Sequence, residues 1–262
     1  MSDDLVGYDV AEHVAVLTLQ NPQKLNALSD AMLAALRAAL MRAGEDGRVR
    51  VVVIRGSGKA FCAGHDLKEM QAGRDGADRG AAYFADLFAR CSEVMQLIPG
   101  LPQPVIAQVH GIATAAGCQL VASCDMAVAA SDARFGVNGV NIGLFCSTPM
   151  VALTRNVPRK AAFEMLTTGQ FVTAERALSL GLINRIAAPE ELDAETLDLA
   201  RTVAAKLGRA VRIGKRAFYE QIALPLDQAY DHAGRVMVEN MLERDTDEGI
   251  QAFLEKRKPD WT

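Results

Sequence analysis

Short apolar runs alternate with glycine-containing loops and helical patterns along most of this chain. The runs Arg50 to Arg55 and Val105 to Val109 are nearly all apolar, which predicts strands buried on both faces. Apolar residues recur at helical spacing from Met32 to Met41, with Ser29 or Asp30 placed to cap that helix. Buried strands that alternate with crossover helices predict an α/β fold.

The same reasoning extends along the rest of the chain. Strands are predicted at 13–20, 126–130 and 183–187, helices at 81–97, 116–124, 149–156, 159–168 and 173–180, and an irregular segment at 133–147. Gln71 to Gly80 has three glycines and no large apolar residue, which predicts a mobile lid or a poorly ordered loop. Beyond Pro189 the pattern is helical, with an Asp245-x-x-Glu248 capping box and a stop at Pro259.

The change of pattern near Pro189 predicts two parts. Residues 1–190 are expected to form a core of β-β-α units that carries the functional site. Residues 191–262 are expected to form a helical region, whose last helix either packs on its own chain or docks onto a neighbouring subunit.

Composition and charge exclude several classes of protein. Of 262 residues, 50% are hydrophobic and 23% are charged, which predicts a globular chain. A net charge of −4 without a basic stripe argues against nucleic-acid binding. The acidic start, Met1 to Leu5, lacks the apolar stretch of a signal peptide, and no apolar run approaches the roughly 18 residues that cross a bilayer. We therefore expect no membrane segment.

The number and spacing of the five cysteines indicate a reducing environment. They are odd in number and none lies in a C-x-x-C pair, which predicts reduced thiols, a cytoplasmic location and no metal site.

Two strand-to-helix passages carry the candidate chemistry. Gly111 to Cys118 links the strand at Val105 to Val109 to a helix beginning near Ala116, and Gly56 to Asp66 links the earlier strand to another helix. The first amides of a helix have no internal partner, so a loop of small residues at this position can hold developing negative charge. The alternative interpretation is a turn whose small residues only permit close strand–helix packing.

Four motifs together resemble the crotonase, or enoyl-CoA hydratase/isomerase, superfamily over nearly the whole chain. They are Asn21 to Ser29, Lys59 to Met70, Gly111 to Cys118 and Ala252 to Pro259, and the nearest resemblance is to the enoyl-CoA hydratase domain-containing protein 3 group. The resemblance implies a spiral of β-β-α repeats with a C-terminal helical trimerisation region, and a homotrimer or a dimer of trimers. It also implies an acyl-CoA substrate, with coenzyme A as part of the substrate and no separate cofactor.

The resemblance also assigns roles to residues. The thioester oxygen is expected between the backbone amides of His65 and Ala116, an oxyanion hole in which each donor contributes about 3 kcal/mol. Phe253 and Lys256 of an adjacent subunit are expected at the adenosine end. The path of coenzyme A is expected to be lined by Lys24, Cys62, Gly64, Asp66, Leu67, Ala113 and Gly117. For Lys24 the alternative is a solvated loop lysine, and Asn26 is interpreted as a turn former.

Both catalytic glutamates of the family are absent. The position of the first is Gln119 and that of the second is Gly139, and neither residue titrates near neutral pH. A general acid or base contributes about 10²–10⁴-fold, so we expect hydration to be weak or absent. Cys146 is the most reactive side chain in the later loop, with an inert buried thiol as the alternative. Asp125 is interpreted as structural.

Three functions remain open from the sequence. The leading one is a lyase-class protein of fatty acid metabolism that stabilises the enolate of an acyl-CoA without efficient hydration. The second is decarboxylation or thioester hydrolysis assisted by Cys146 or by the imidazole of His65, whose alternative role is a bond to a neighbouring loop. The third is non-catalytic binding of acyl-CoA.

Overall fold

A computed structural model describes residues 5–261 and shows two sheets enclosed by helices. The strands are β1 (Val6–Ala11), β2 (Val14–Leu19), β3 (Val51–Gly56), β4 (Val105–Val109), β5 (Ile112–Thr114), β6 (Met126–Ala130), β7 (Arg134–Gly136), β8 (Val172–Thr173) and β9 (Arg185–Ala187). The helices are α1 (Asp30–Glu45), α2 (Leu67–Ala72), α3 (Ala81–Gly100), α4 (Ala116–Ser123), α5 (Pro149–Asn156), α6 (Arg159–Thr168), α7 (Ala174–Ser179), α8 (Leu192–Ala204), α9 (Gly208–Gln221), α10 (Leu226–Met241) and α11 (Arg244–Leu254).

The larger sheet has six strands in the order β1-β2-β3-β4-β6-β9. The β1–β2 hairpin is antiparallel, and every later pair is parallel. All five residues of β4 are buried, as are the first four of β3, because helices cover both faces of a parallel sheet. This is the sheet that the apolar runs predict.

A smaller sheet, β5-β7-β8, lies beyond the ends of the central strands. Strand β4 leads into β5 and then α4, and β6 leads into β7, so the chain repeats a β-β-α unit. Two isolated parallel bridges continue the pairing of the smaller sheet towards the earlier β-β-α units. They join Leu28 to His65 and Cys62 to Ala113. The predicted α/β spiral of β-β-α repeats is therefore present.

Most predicted elements agree with the structure to within a few residues, and the differences have local causes. The 71–80 segment is not featureless: α2 runs to Ala72, a 3₁₀ turn follows at Gly73–Asp75, and Asp78 accepts hydrogen bonds from the amides of Gly80 and Ala82. The predicted irregular segment at 133–147 contains β7 and a 3₁₀ helix at Asn138–Ile142.

The predicted capping box at Asp245 and Glu248 is wrong. Helix α11 begins at Arg244 after Glu243, and Glu248 instead pairs with Arg257. The helix ends at Leu254 and not at Pro259, because Lys256 adopts a left-handed φ of 57°. The ion pair between Glu248 and Arg257 thus takes the place of the predicted capping box, and the turn at Lys256 ends the helix before Pro259.

The helices of residues 191–262 differ in how many of their residues are buried against the core. Helix α8 packs on the large sheet and buries Leu192, Leu199 and Ala200, whereas α10 buries none of its residues and α11 buries only Ala252. No helix within residues 5–261 combines the length and apolarity needed to cross a membrane. The division into residues 1–190 and 191–262 stays a prediction.

A buried ionic cluster attaches α9 to the core. Lys215 donates to Asp125 at 2.6 Å and to the carbonyls of Ile98 and Gln103, both at 2.9 Å. Asp125 also accepts from the Val105 amide at 2.6 Å, and burial lowers the pKa of Lys215 while Asp125 opposes that shift. Asp125 therefore has the structural role predicted for it.

Replacing Lys215 by methionine should destabilise the fold far more than the same change at the next residue. Lys215→Met leaves the Asp125 carboxylate without its counter-charge and two carbonyls without their donor, so we expect a loss of about 3 kcal/mol or more in the free energy of unfolding. Arg216→Met removes only an exposed pair with Glu239 and should cost under about 1 kcal/mol. Urea denaturation of both variants measures the difference, and equal losses would contradict a central role for the cluster.

Candidate active site

The two loops predicted to bind an anion lie side by side. Phe61 donates its amide to the His110 carbonyl at 3.1 Å, Cys62 to Ile112 at 3.1 Å, and Thr114 to Cys62 at 3.0 Å. These bonds fix the register between the loop after β3 and the loop after β4. Both loops follow the carboxyl ends of the neighbouring parallel strands β3 and β4, and they therefore lie at the same end of the sheet.

Glycines allow the loops to approach this closely. A β-carbon on Gly64 would lie 3.1 Å from the Thr114 carbonyl oxygen and 3.3 Å from the Ala116 nitrogen, and the φ of Gly64 is +87°. A β-carbon on Gly117 would overlap the Cys62 carbonyl oxygen. Larger residues at either position would push the two loops apart.

Two backbone amides are left unpaired where the loops meet. Across residues 5–261, neither the His65 amide nor the Ala116 amide donates a hydrogen bond. Because Leu28 donates to the Gly64 carbonyl in a parallel bridge, the His65 amide faces away from Leu28. Ala116 is the first residue of α4, so its amide belongs to the positive end of that helix. Both donors are suited to an oxyanion.

Backbone strain lies one residue before the second amide. Ala115 has φ 49° and ψ −118°, a conformation that glycine adopts more readily, while Ala116 is already helical. Such a residue costs of order 1–3 kcal/mol and persists only where its surroundings impose it. Here the Ala115 amide is held by the Gly136 carbonyl at 2.9 Å.

Gln119 lies in α4, one turn after Ala116. Its side chain is 5% exposed, and its Oε1 atom is buried without a hydrogen-bond partner among residues 5–261. A buried acceptor without a donor is unfavourable by about 1–3 kcal/mol. The residue thus offers a neutral polar group beside the amide pair and no charge.

The chain itself fills the space beside Gly139. A β-carbon on Gly139 would overlap the Leu144 carbonyl oxygen and lie 2.9 Å from the Cys146 sulfur. Leu144 also donates its amide to the Gly139 carbonyl at 3.0 Å, which closes the loop. A side chain of any size is therefore excluded at Gly139 unless this loop moves.

Cys146 is a buried thiol with little nucleophilic character. Burial raises its pKa, and a hydrogen bond from the Gly139 amide only partly opposes that shift. Since the thiolate is the reactive form, this environment favours the inert alternative.

The imidazole of His65 turns towards the neighbouring loop. Its Nδ1 atom lies 3.3 Å from the Leu28 carbonyl oxygen and its ring packs edge-on against Phe88. Because a carbonyl only accepts, Nδ1 carries the proton and Nε2 is an acceptor, which is buried without a partner among residues 5–261. Burial lowers the pKa of His65, so the ring is neutral at pH 7.

A polar cluster that sequence reasoning missed surrounds this imidazole. Asp30 accepts from Arg90 at 2.9 Å, and the Asp30 amide donates to Glu69 at 2.9 Å. Nearby Asp30 and Arg90 act in opposite directions on the pKa of His65. The sequence offered no local signal for this cluster, because Asp30, Glu69 and Arg90 lie in three different helices, α1, α2 and α3.

Lys24 and Asp66 form an ion pair at the start of α2. The Lys24 ammonium lies 2.7 Å from Asp66, which also accepts from the Lys68 and Glu69 amides. The Lys24 hydrogen bond is the main reason that the pKa of Asp66 is lowered. Lys24 is 49% exposed and already paired, so it offers less than a free charge to a phosphate.

The other residues assigned to the path of coenzyme A fall into two groups. Cys62 and Ala113 are buried and bridge the two loops, whereas Leu67 is exposed on α2. Phe253 is 82% exposed, and α11 packs on α10; in the described chain neither Phe253 nor Lys256 bonds to a residue of the two loops. Asn26 bonds only backbone groups, as expected of a turn former.

Within residues 5–261, no group of three or more His, Cys, Asp or Glu side chains is arranged to hold a metal ion. Gln119 and His65, which follow the two loops, each carry a buried polar atom, Oε1 and Nε2, that has no hydrogen-bond partner within the described residues. The site is therefore a pair of backbone donors with neutral acceptors near them, and it has no carboxylate at either glutamate position of the family.

Adding a methyl group at Gly139 should destabilise the protein, whereas adding one at Gly214 should not. Gly139→Ala forces a clash with the Leu144 backbone and should lower the free energy of unfolding by about 1–3 kcal/mol. Gly214 lies inside α9 with nothing within 4 Å of its added β-carbon, so Gly214→Ala should stabilise by about 0.5–1 kcal/mol. Thermal or urea denaturation measures both changes. An unchanged free energy of unfolding in Gly139→Ala would show that the loop through Leu144 can move at little cost.

Comparison with known proteins shows what this chain is similar to. The family described as enoyl-CoA hydratase/isomerase matches residues 9–262. The mouse (Mus musculus) enoyl-CoA hydratase domain-containing protein 3, mitochondrial, is 47% identical over 246 residues, covering 94% of this chain and 80% of that protein. The crystal structure of an enoyl-CoA hydratase from Mycobacterium smegmatis is 56% identical with a TM-score of 0.94, covering 98% of each chain. That of human enoyl coenzyme A hydratase domain-containing protein 3 is 45% identical with a TM-score of 0.93, covering 98% of this chain and all of that one.

These similarities confirm the predicted fold and correct one prediction. The resemblance to the group of domain-containing protein 3 is confirmed by the mouse relative and the human structure. The cytoplasmic location is contradicted, because the mouse relative is named as mitochondrial. Reduced cysteines do not distinguish between these compartments, which is why the cysteine pattern misled.

Proposed function

Because the chain belongs to the enoyl-CoA hydratase/isomerase family, we propose that it binds an acyl-CoA thioester and stabilises negative charge on the thioester oxygen. The donors are the backbone amides of His65 and Ala116. Hydration of the acyl group is weak or absent.

The unpaired pair of amides is the observation that carries this proposal. His65 is half-buried and Ala116 is buried, and two unpaired amides at one loop junction call for an acceptor from outside the chain. An enolate or tetrahedral oxygen is such an acceptor, and fixed donors aimed at developing charge are the main source of rate acceleration in acyl transfer. Family membership supplies the acyl-CoA as the bearer of that oxygen.

The neutral surroundings argue against hydration. Adding water across a double bond requires one group to activate the water and another to deliver a proton. Gln119 can orient a water molecule without removing its proton, and Gly139 has no side chain and no room for one. An oxyanion site without these groups still favours reactions that pass through an enolate or an oxyanion.

Incubation of the purified protein with a library of acyl-CoAs, followed by mass spectrometry, tests the function. We expect binding of several thioesters and a crotonyl-CoA hydration rate at least about 10²-fold below that of a relative with both glutamates. Fast hydration of crotonyl-CoA would contradict the second half of the proposal. Binding of many acyl-CoAs without any product would indicate a non-catalytic binding protein.

Removal of one amide donor tests the oxyanion hole directly. Replacing Ala116 by lactic acid exchanges this amide for an ester, which deletes the N–H and keeps the side chain; proline is unsuitable here, because Ala115 at φ 49° and ψ −118° lies outside the region that a residue before proline adopts. The wild type should bind butyryl-CoA about fivefold more tightly than the thioether S-butyl-CoA, which lacks the carbonyl. In the variant this difference should shrink while the affinity for the thioether is unchanged. An unaltered preference for the thioester would place its oxygen elsewhere.

Thioester hydrolysis is the second candidate, and the unpartnered Nε2 atom of His65 favours it. A neutral imidazole beside an oxyanion hole can accept a proton from an attacking water. Cys146 is a weaker candidate because of its raised pKa. Release of free coenzyme A from the library would identify this reaction.

The C-terminal helices support assembly into trimers. Several large apolar side chains on α10 and α11 are exposed, among them Leu226, Tyr230, Leu242, Phe253 and Leu254. Exposed apolar surface of this extent is typical of a protein–protein interface. A neighbouring subunit that covers these helices would bring Phe253 and Lys256 towards the coenzyme A end of the site, as the family resemblance implies. Analytical ultracentrifugation distinguishes a trimer from a hexamer.

A further inference from the structure

A cavity of about 740 Å³ lies between the end of α3 and α9. Its walls include Pro99, Leu101 and Pro102 on one side and Arg209, Arg212 and Arg216 on the other. Its volume is within the range of small-molecule sites, roughly 300–1,000 Å³.

This cavity is remote from the paired loops. Tyr219 lines the cavity and donates to Asp125 at 2.7 Å, and Asp125 also binds the amide of Val105, the first residue of β4. The loop that carries Ala116 follows the other end of the same strand. Four rises along this strand separate Val105 from Val109 by about 13 Å, so the cavity lies at the opposite end of the central strands.

Three guanidinium groups share one face of α9. Their spacing of three and four residues places Arg209, Arg212 and Arg216 along the same side of the helix. Arg209 pairs with Glu243 at 2.5 Å, and Arg216 pairs with Glu239 at 2.8 Å. Two of the three charges are thus held by carboxylates, one in α10 and one just before α11.

The central arginine has no carboxylate to pair with. Among residues 5–261, Arg212 forms no salt bridge within 4.0 Å, and its one hydrogen bond is from Nε to the Gly208 carbonyl at 3.2 Å. Arg50 also approaches Gly208, which places another guanidinium side chain near this point. Glu239 and Glu243 pair with Arg216 and Arg209, and Glu220 of the cavity wall lies 3.1 Å from His232, so Arg212 is the guanidinium of the wall that no carboxylate within the described chain holds.

We propose that this cavity binds the phosphate group of a small molecule, with Arg212 as the main ligand. A guanidinium presents parallel N–H donors that match two phosphate oxygens. The apolar wall formed by Leu101 and Pro102 can hold an organic part of the ligand, which a phosphate ion alone does not have. This site is independent of the proposed acyl-CoA function.

Calorimetric titration at low ionic strength tests the site with pyrophosphate and with adenosine monophosphate as probes. The wild type should bind at least one probe, and Arg212→Gln should bind it about tenfold more weakly. Arg235→Gln is the matched control, since it removes an equal charge from an exposed position on α10 outside the cavity. Tighter binding of the nucleotide than of pyrophosphate would identify a phosphate ester as the ligand.

Two outcomes would overturn the proposal. One is the absence of binding of either probe to the wild type, and the other is an equal loss of affinity in both variants. The free energy of unfolding should be nearly the same in Arg212→Gln and the wild type, since Arg212 pairs with no carboxylate in the described chain, and this confirms that the variant is folded. Failure of the wild type to bind any acyl-CoA would contradict the proposed acyl-CoA function and not the phosphate site.

Discussion

The register between two loops is the constraint on which this structure depends. Three backbone hydrogen bonds join Phe61, Cys62 and Thr114 to the neighbouring loop, and they set where the amides of His65 and Ala116 lie. The loops are carried by β3 and β4, which are adjacent and parallel, so the buried sheet determines the position of the site. The small residues Gly64 and Gly117 are required because backbone atoms of the opposite loop occupy the space of a side chain.

The chemistry of the site follows from what those loops leave unsatisfied. Two backbone donors have no partner within residues 5–261, while Gln119 and His65 are neutral and each carry a buried acceptor atom. Such an arrangement stabilises an oxygen that gains charge but does not readily move a proton. Gly139 reinforces this property, because the loop through Leu144 and Cys146 has closed over the place where a second acid would stand. The backbone of this loop, as well as the identity of the side chains, therefore keeps an acidic side chain from this position.

Helix α9 connects to this site through a buried cluster. Lys215 binds Asp125, and Asp125 binds the first amide of β4, so the helices and the loop that carries Ala116 are attached to opposite ends of one strand. Helices α10 and α11 remain largely exposed beyond that attachment. A charged cavity and an apolar surface thus lie on the part of the chain that is least constrained by the core.

The sequence by itself determined the order of elements, the buried strands, the two glycine loops and the absence of both glutamates. These features depend on local patterns: apolar runs for β3 and β4, Ser29 as a cap for α1, and the identities of Gln119 and Gly139. Only the tertiary structure decided that the His65 imidazole bonds Leu28, that Asp30 and Arg90 surround it, and that Gly139 has no room for a side chain. These contacts join residues that are distant in sequence, or depend on how a loop folds over its neighbours. Spacing along the chain carries no information about either.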